Sequence, residues 1–359
     1  MNPPPADAIA PPLLAWFDVH GRHDLPWQQP RTPYRVWLSE IMLQQTRVRV
    51  VLPYFERFIA ALPDVAALAA APLDDVLGLW SGLGYYARAR NMHAAARACV
   101  ERHGGDLPRD FTALLALPGI GRSTAGAILA QAWNERFAIL DGNVKRVLAR
   151  YHGVEGWPGQ ASVEKRLWQL AQGHLPAVRL ADYTQAQMDL GATLCTRHAP
   201  ACTGCPLGSG CIAHAQGRTD ELPTPRPGKA LPTREAVVLL LRDPEGRVLM
   251  QRRPPAGVWA QLWSLPQADD CEAARDWFRT HVDGDYAQGE ALATIAHAFS
   301  HYRFNMHPRR WHQVASATAV RDNDQLRWVP LDALAGLGIP APVRTLIEAQ
   351  FDTPQEHQP

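Results

Sequence analysis

Residues 114–150, LLALPGIGRSTAGAILAQAWNERFAILDGNVKRVLAR, restrict the fold more than any other stretch of the 359-residue chain. Leu117-Pro118-Gly119-Ile120-Gly121 sets two glycines around one apolar residue between segments of helical spacing, so the backbone turns sharply and stays uncovered by side chains. This predicts a hairpin between two helices. Ala125, Ile128, Leu129 and Ala132 recur at helical spacing behind it. Backbone N–H groups left over at that helix start form an anion site, suited to a nucleic-acid phosphate and blind to its bases. Next, Phe137-Ala138-Ile139-Leu140 delivers Asp141 to the start of a helix whose inward face is Val144, Val147, Leu148 and Tyr151. A carboxyl there is favoured as the anion by the helix dipole, so it suits meeting positive charge better than donating a proton. The plain alternatives are a helix N-cap and an ordinary glycine turn.

Composition bounds the rest. With 47% hydrophobic and 20% charged residues, and no apolar run long enough to span a bilayer, the chain reads as globular and long enough for two cores. MNPPPADAIAPP lacks a basic start and an apolar h-region, so residues 1–12 read as a disordered tail and the protein as cytoplasmic. A net charge of +1 announces no nucleic-acid partner. A DNA-binding surface must therefore be local, with Arg88, Arg90, Arg122, Lys145, Arg146 and Arg150 as candidates.

From residue 13 to about 220 the apolar residues recur at helical spacing, and this half reads as nearly all helix. In PYRVWLSEIMLQQT, Val36, Trp37, Glu40 and Gln44 fall on one side of a helix. Burial there raises the pKa of Glu40 and keeps it protonated, whereas a solvated helix glutamate is the ordinary reading. Beside Asp141 it completes a known device: one carboxyl held protonated as general acid, one ionised to meet positive charge on a sugar. WSGLGYYARAR places two glycines, two tyrosines and two arginines in one short block. A ring on a glycine turn can wedge into a base stack while arginines hold phosphate; a packing role is the alternative.

Cys195, Cys202, Cys205 and Cys211 are spaced C-x6-C-x2-C-x5-C, in a chain without an export signal, so a metal site is favoured over disulfides. Zinc sites usually pair two short C-x2-C units. One such unit with two longer arms better suits an iron–sulfur cluster held by four thiolates. Cys99 and Cys271 stand alone and read as buried small apolar residues.

The LPGIG hairpin, with an Asp about twenty residues beyond it, resembles the helix-hairpin-helix superfamily of DNA glycosylases. With PYRVWLSEIMLQQT, WSGLGYYARARN, ILDGNVKRVLAR and the cysteine loop added, residues 13–214 look like the MutY family of adenine DNA glycosylases. The nearest alternative is the endonuclease III type, a glycosylase/lyase acting on oxidised pyrimidines. Those enzymes carry a hairpin lysine that forms a Schiff base. Ser123 stands at that position here, and the chain has only three lysines, at 145, 165 and 229. The resemblance therefore implies a glycosylase without an efficient lyase step.

Residues 218–232, RTDELPTPRPGKALP, read as a linker. Beyond it the pattern changes to strands. Ala236–Leu241 and Arg247–Met250 flank Asp243-Pro244-Glu245-Gly246 as a predicted β-hairpin. A helix over 271–282 would turn Ala274, Trp277, Phe278 and Val282 inward; more strands follow over 291–315, and a last helix after Pro342. Residues 233–351 resemble an α/β Nudix-type domain, with a tail at 352–359. That family's metal-binding helix reads R-E-x-x-E-E, but here Arg275-Asp276 is followed by Arg279 and Thr280, so hydrolase activity is not implied. In the MutY family this domain reads 8-oxoguanine through an F-S-H loop, matched by Phe299-Ser300-His301.

The fold implied is an all-α helix-hairpin-helix glycosylase domain with a 4Fe-4S loop at 195–211, over 13–217, followed by the Nudix-like domain. The resemblance implies a monofunctional enzyme that flips adenine out of duplex DNA opposite 8-oxoguanine or guanine and hydrolyses its glycosidic bond. It assigns Glu40, Asp141 and Asn143 to catalysis. DNA contacts fall to Gln44, Tyr85, Gly119, Gly121, Ser123, Ser300 and His301. A monomer and no membrane partner are expected.

Overall fold

The computed structural model describes residues 9–228, 230–299, 301–312, 314–316 and 325–351. Ser300 and the extreme tails lie outside the described residues. The chain divides into two compact units. The first holds residues up to Ala70 and Asn91–Gly228; the second joins Ala71–Arg90 to the chain beyond Gly228.

The first half is helical, as its spacing predicts. Its helices are α1 (Ala10–His20), α2 (Pro33–Leu43), α3 (Val48–Ala61), α4 (Val65–Ala70), α5 (Leu73–Leu79) and α6 (Ala87–Arg102). Then follow α7 (Phe111–Leu115), α8 (Arg122–Trp133), α9 (Gly142–Tyr151), α10 (Ala161–Gly173), α11 (Leu180–Thr193) and α12 (Ile212–Ala215). Helix α1 begins inside the stretch read as tail, with prolines in its first turn. Proline is tolerated there because those N–H groups have no intrahelical partner. Leu13, Phe17, Val144, Leu148, Tyr183 and Leu190 meet in one core, which draws α9 and α11 together and positions the Asp141 end of α9. The end of this unit is not loose, although residues from 218 onward read as linker. Leu222 is buried, Arg218 pairs with Glu155, and Thr224 Oγ1 accepts the Gly156 N–H at 3.0 Å.

The second unit contains β1 (Thr233–Leu241), β2 (Val248–Arg252), β3 (Trp263–Ser264), β4 (Gln267–Ala268), α13 (Cys271–His281) and β5 (Val282–Asp283). After these come β6 (Glu290–Ala291), β7 (Ile295–Ala298), β8 (Arg303–Trp311), β9 (Ala315–Ser316), β10 (Leu326–Val329) and α14 (Ala341–Phe351). The main sheet has the order β4-β1-β8-β6, with β7 also on β8. β1 runs parallel to β8 from Thr233 against Arg303 to Leu241 against Trp311. Buried on both faces from Ala236 onward, it separates a core around Met306 and Ile347 from one around Phe278 and Trp328.

The predicted hairpin does not form. β1 takes β8 and β4 as neighbours, while β2 joins β10 and β3, leaving only an Arg242–Val248 bridge at the turn. Asp243 closes that turn by accepting the Arg247 N–H at 2.7 Å. The turn signal was real, but β8 offers β1 a longer buried partner. Helix α13 ends at His281, so Val282 is buried from a strand; Trp277 is only half-buried and stacks on His281, 4.4 Å between centroids. Cys271 is exposed at the start of α13, not buried as expected.

Residues 71–90 belong with this strand-rich unit. Tyr86 Oη donates to the Ile339 carbonyl at 3.0 Å, Arg344 Nη2 donates to Ser81 Oγ at 3.1 Å, and Arg252 pairs with Asp74.

Candidate active site

Helix α2 starts at Thr32, whose hydroxyl accepts the Arg35 N–H, and carries Glu40 one turn before its end at Leu43. Val36 and Trp37 are buried on the side expected to flank it. Helix α8 packs against α2, and its Gln131 donates Nε2–H to Glu40 Oε1 at 3.0 Å. Protein surrounds the Glu40 carboxyl, which keeps only partial solvent access. Burial, reinforced by the negative charge of Asp141, pushes its pKa up to about 7, against the pull of the Gln131 amide.

Asp141 is the N-cap of α9, with Oδ1 accepting the Val144 N–H at 2.8 Å. The cap and the charge device occupy one residue, so the two readings are not exclusive. Burial holds its carboxyl above the ordinary value. The Val144 and Asn143 N–H groups, Arg146 and Lys145 oppose that rise. The helix start pulls toward the anion as expected, but desolvation outweighs it. The negative charge of Asp141 adds to the rise of Glu40, so the two carboxyls titrate as a coupled pair.

Asn143 accepts from Arg146 Nη2 at 2.8 Å, and the same guanidinium reaches the carbonyls of Gly191 and Cys195, each at 2.7 Å. A Cβ on Gly191 would fall 2.5 Å from Asn143 Cβ, so only glycine lets α11 approach so closely. Ser123 Oγ accepts the Leu140 N–H at 2.9 Å, fixing the approach to Asp141. Its hydroxyl is thus engaged inside the protein. Gly119 adopts φ 79° in the hairpin, and a Cβ there would meet Asn91 at 2.8 Å. Gly121 begins α8 without any side-chain cap, leaving the exposed helix start open to an anion. Gln44 is half-buried just past the end of α2.

Sequence reasoning missed Gln131, which stands in no recognisable motif and whose low exposure appears only once the helices are packed.

The arginines corrected the expected DNA surface. Arg88 is buried and donates to the Gly84 carbonyl at 3.0 Å. Arg90 donates to Ala260, Lys145 pairs with Glu164, and Arg146 serves Asn143. Arg150 is only 3% exposed and spans Leu222, Thr196, Arg197 and the Cys195 sulfur. Of the six, Arg122 remains exposed, above the Trp168 ring.

The four loop cysteines carry no disulfide. The Cys205 thiol feels the charges of Cys195, Cys211 and Cys202, so the sulfurs share one neighbourhood. Arg150 Nη1 donates to Cys195 Sγ at 3.4 Å, and backbone N–H groups of Leu207 and His214 serve Cys205 and Cys211. Among the described residues no three metal-binding side chains converge on one ion. Four cysteine sulfurs in one neighbourhood beside N–H donors make a donor set of the kind that holds an iron–sulfur cluster.

In the second unit, Tyr85 is 52% exposed at φ 51°, between Gly84 and buried Tyr86. His301 is exposed beside the Phe299 and Tyr302 rings, at 6.2 and 4.8 Å.

Residues 38–172 match the HhH-GPD superfamily of base excision DNA repair proteins, and residues 237–349 match the NUDIX domain. The chain is 36% identical to adenine DNA glycosylase of Buchnera aphidicola subsp. Acyrthosiphon pisum, over 94% of this chain and 95% of that protein. The chain belongs to the adenine DNA glycosylase family. Human adenine DNA glycosylase is 42% identical over 58% of this chain and 40% of its own length. A thermostable thymine-DNA glycosylase superposes with a TM-score of 0.52 at 27% identity, covering 57% of this chain and 94% of that one. This protein is therefore a DNA glycosylase of base excision repair, with DNA as its partner; the endonuclease III-type alternative is not favoured. Among the described residues no helix is long and apolar enough to cross a membrane.

Proposed function

We propose that this adenine glycosylase removes adenine paired with 8-oxoguanine or guanine by hydrolysing its glycosidic bond. The observation that carries the reading is the Glu40–Asp141 pair. Glu40 has its pKa raised to about 7 by burial, and Asp141 sits at a helix start whose N–H groups and basic neighbours favour its anion against burial. Glu40 protonates the departing adenine. Asp141 stabilises or captures the sugar cation as the bond breaks, and Asn143, fixed by Arg146, assists at the same centre.

Cys195, Cys202, Cys205 and Cys211 would hold a 4Fe-4S cluster, which supplies structural support to the loop rather than glycosidic chemistry. Gln44 fills the gap left in the stack and Tyr85 wedges it, while Gly119 and Gly121 seat a phosphate. Ser123, bonded to Leu140, aligns Asp141 and supplies no amine for a lyase step. His301, beside its aromatic neighbours, reads the 8-oxoguanine together with Ser300. Single-turnover excision from duplexes holding A opposite 8-oxoguanine, G or T tests the reading: strand breakage should appear only after alkali. Breakage without alkali, or oxidised pyrimidines as the better substrates, would overturn it.

A further inference from the structure

Three features of the second unit are linked in series, with the Arg90 side chain as one of the links. Arg90 Nη1 donates to the carbonyl of Ala260 at 2.8 Å. Ala260 is buried between Trp259 and Gln261, both non-glycine residues in the left-handed region at φ 56° and 61°. Such strained positions persist where the surroundings fix them. The Trp259 ring lies 5.7 Å from Phe299, 5.7 Å from Phe304 and 6.1 Å from His297. The Phe299 N–H donates to the Tyr302 carbonyl at 2.9 Å and so closes the turn that presents His301. On the other side of Arg90, the first turn of α6 holds the backbone that carries the exposed Tyr85 ring. The Arg88 N–H donates to the Tyr85 carbonyl at 2.9 Å, and the Arg90 N–H to the Tyr86 carbonyl at 3.1 Å.

We infer that Arg90 is a positioning residue that couples the Tyr85 wedge to the His301 turn through Ala260 and Trp259, so that stack opening and reading of the lesion are one event. This rests on the proposal that the His301 turn reads 8-oxoguanine. The Arg90 Nη1 donor is turned to a protein carbonyl, where a sequence reading of Arg90 as a phosphate contact would turn it to DNA. Trp259 serves as the relay because its ring touches both strand β7 and the turn after it.

Full-length protein carrying Arg90→Met keeps the stem and loses the donor; Arg90→Lys keeps a donor. Dissociation constants would be measured on duplexes with a non-cleavable adenine analogue opposite 8-oxoguanine or guanine, with 2-aminopurine beside the mispair to report unstacking. Arg90→Met should reduce the preference for 8-oxoguanine over guanine by about tenfold, the scale of one charge-assisted hydrogen bond, and weaken the 2-aminopurine signal in parallel. Arg90→Lys should restore part of both. An unchanged preference in Arg90→Met would overturn the inference. So would equal weakening on both duplexes with a lowered melting midpoint and no rescue by lysine, because that is what a merely structural arginine does. A wild-type protein without preference for 8-oxoguanine would instead sink the lesion-reading proposal itself, and the coupling with it.

Discussion

Gln131 and Glu40, 91 residues apart in the chain, are joined by a hydrogen bond of 3.0 Å from Nε2 to Oε1. The amide opposes the rise in Glu40's pKa that burial and Asp141 cause. Replacing Gln131 with methionine fills similar volume without a donor, so the Glu40 proton should be held to higher pH. The alkaline limb of the single-turnover pH profile should move upward; an unmoved limb would mean that another group sets it.

Glu40→Gln keeps the shape and loses the transferable proton, so excision should fall by at least about a hundredfold, the usual scale of general acid catalysis. Wild-type excision should itself decline as pH rises through about 7, where Glu40 deprotonates. Stability follows the same group with a definite sign. A carboxyl whose folded pKa is raised contributes stability below its unfolded value and loses it as pH climbs through the folded one. Glu40→Gln should therefore gain on wild type in urea unfolding above pH 7, by at most about 3 kcal/mol. No gain at pH 8 would show that the folded protein does not penalise the Glu40 anion.

Asp141→Asn should abolish excision while mispair binding survives, because the charge matters where the sugar becomes positive. Asparagine also caps helices well, so α9 should stay in place. Circular dichroism and a binding isotherm would separate the roles. Loss of binding in step with activity would make Asp141 a cap and little else.

Short patterns set by local geometry were readable in the sequence. Gly119 is legible because its turn demands φ 79°, Asp141 because it must start a helix, and the loop cysteines because their spacing is chemical. Gln131 was not, since a lone amide on a helix acquires meaning only from the helix that packs against it. The arginines failed for a related reason. Charge in a sequence suggests a surface, yet Arg88 and Arg150 end buried beneath their own loops, satisfying carbonyls. The Asp243 turn misled because a turn fixes direction but not partners, and β1 found β8 instead.

Iron provides an independent check on the cysteine loop. Protein made under iron-replete conditions should be brown, with broad visible absorbance and about four irons per chain. Replacing Cys202 with serine should lower iron content and loosen the loop that Arg150 ties to Leu222, seen as faster amide exchange around residues 195–211. Stoichiometric zinc would overturn the cluster assignment.

The division of labour between the two units carries the most consequence. A simple boundary near residues 218–232 predicts that a fragment ending there is a complete glycosylase lacking only its lesion reader. The structure alters that expectation, because Ala71–Arg90 belongs to the second unit. A fragment ending at Gly228 keeps Glu40, Gln131, Asp141 and the four cysteines, but Tyr86 loses Ile339, Ser81 loses Arg344 and Arg90 loses Ala260. Leu77, buried against Gly338, also loses that cover. Exposing one such side chain costs about 1.5–3 kcal/mol on the usual scale, so the fragment should melt earlier and self-associate. It should still remove adenine, with its preference for 8-oxoguanine over guanine largely gone, since it has lost His301 and the support of Tyr85 together. Single-turnover rates on both mispairs, with sedimentation of the fragment, decide the matter. An equally stable, monomeric fragment would show that residues 71–90 stand without the second unit, and an undiminished preference would place lesion recognition in the helical half.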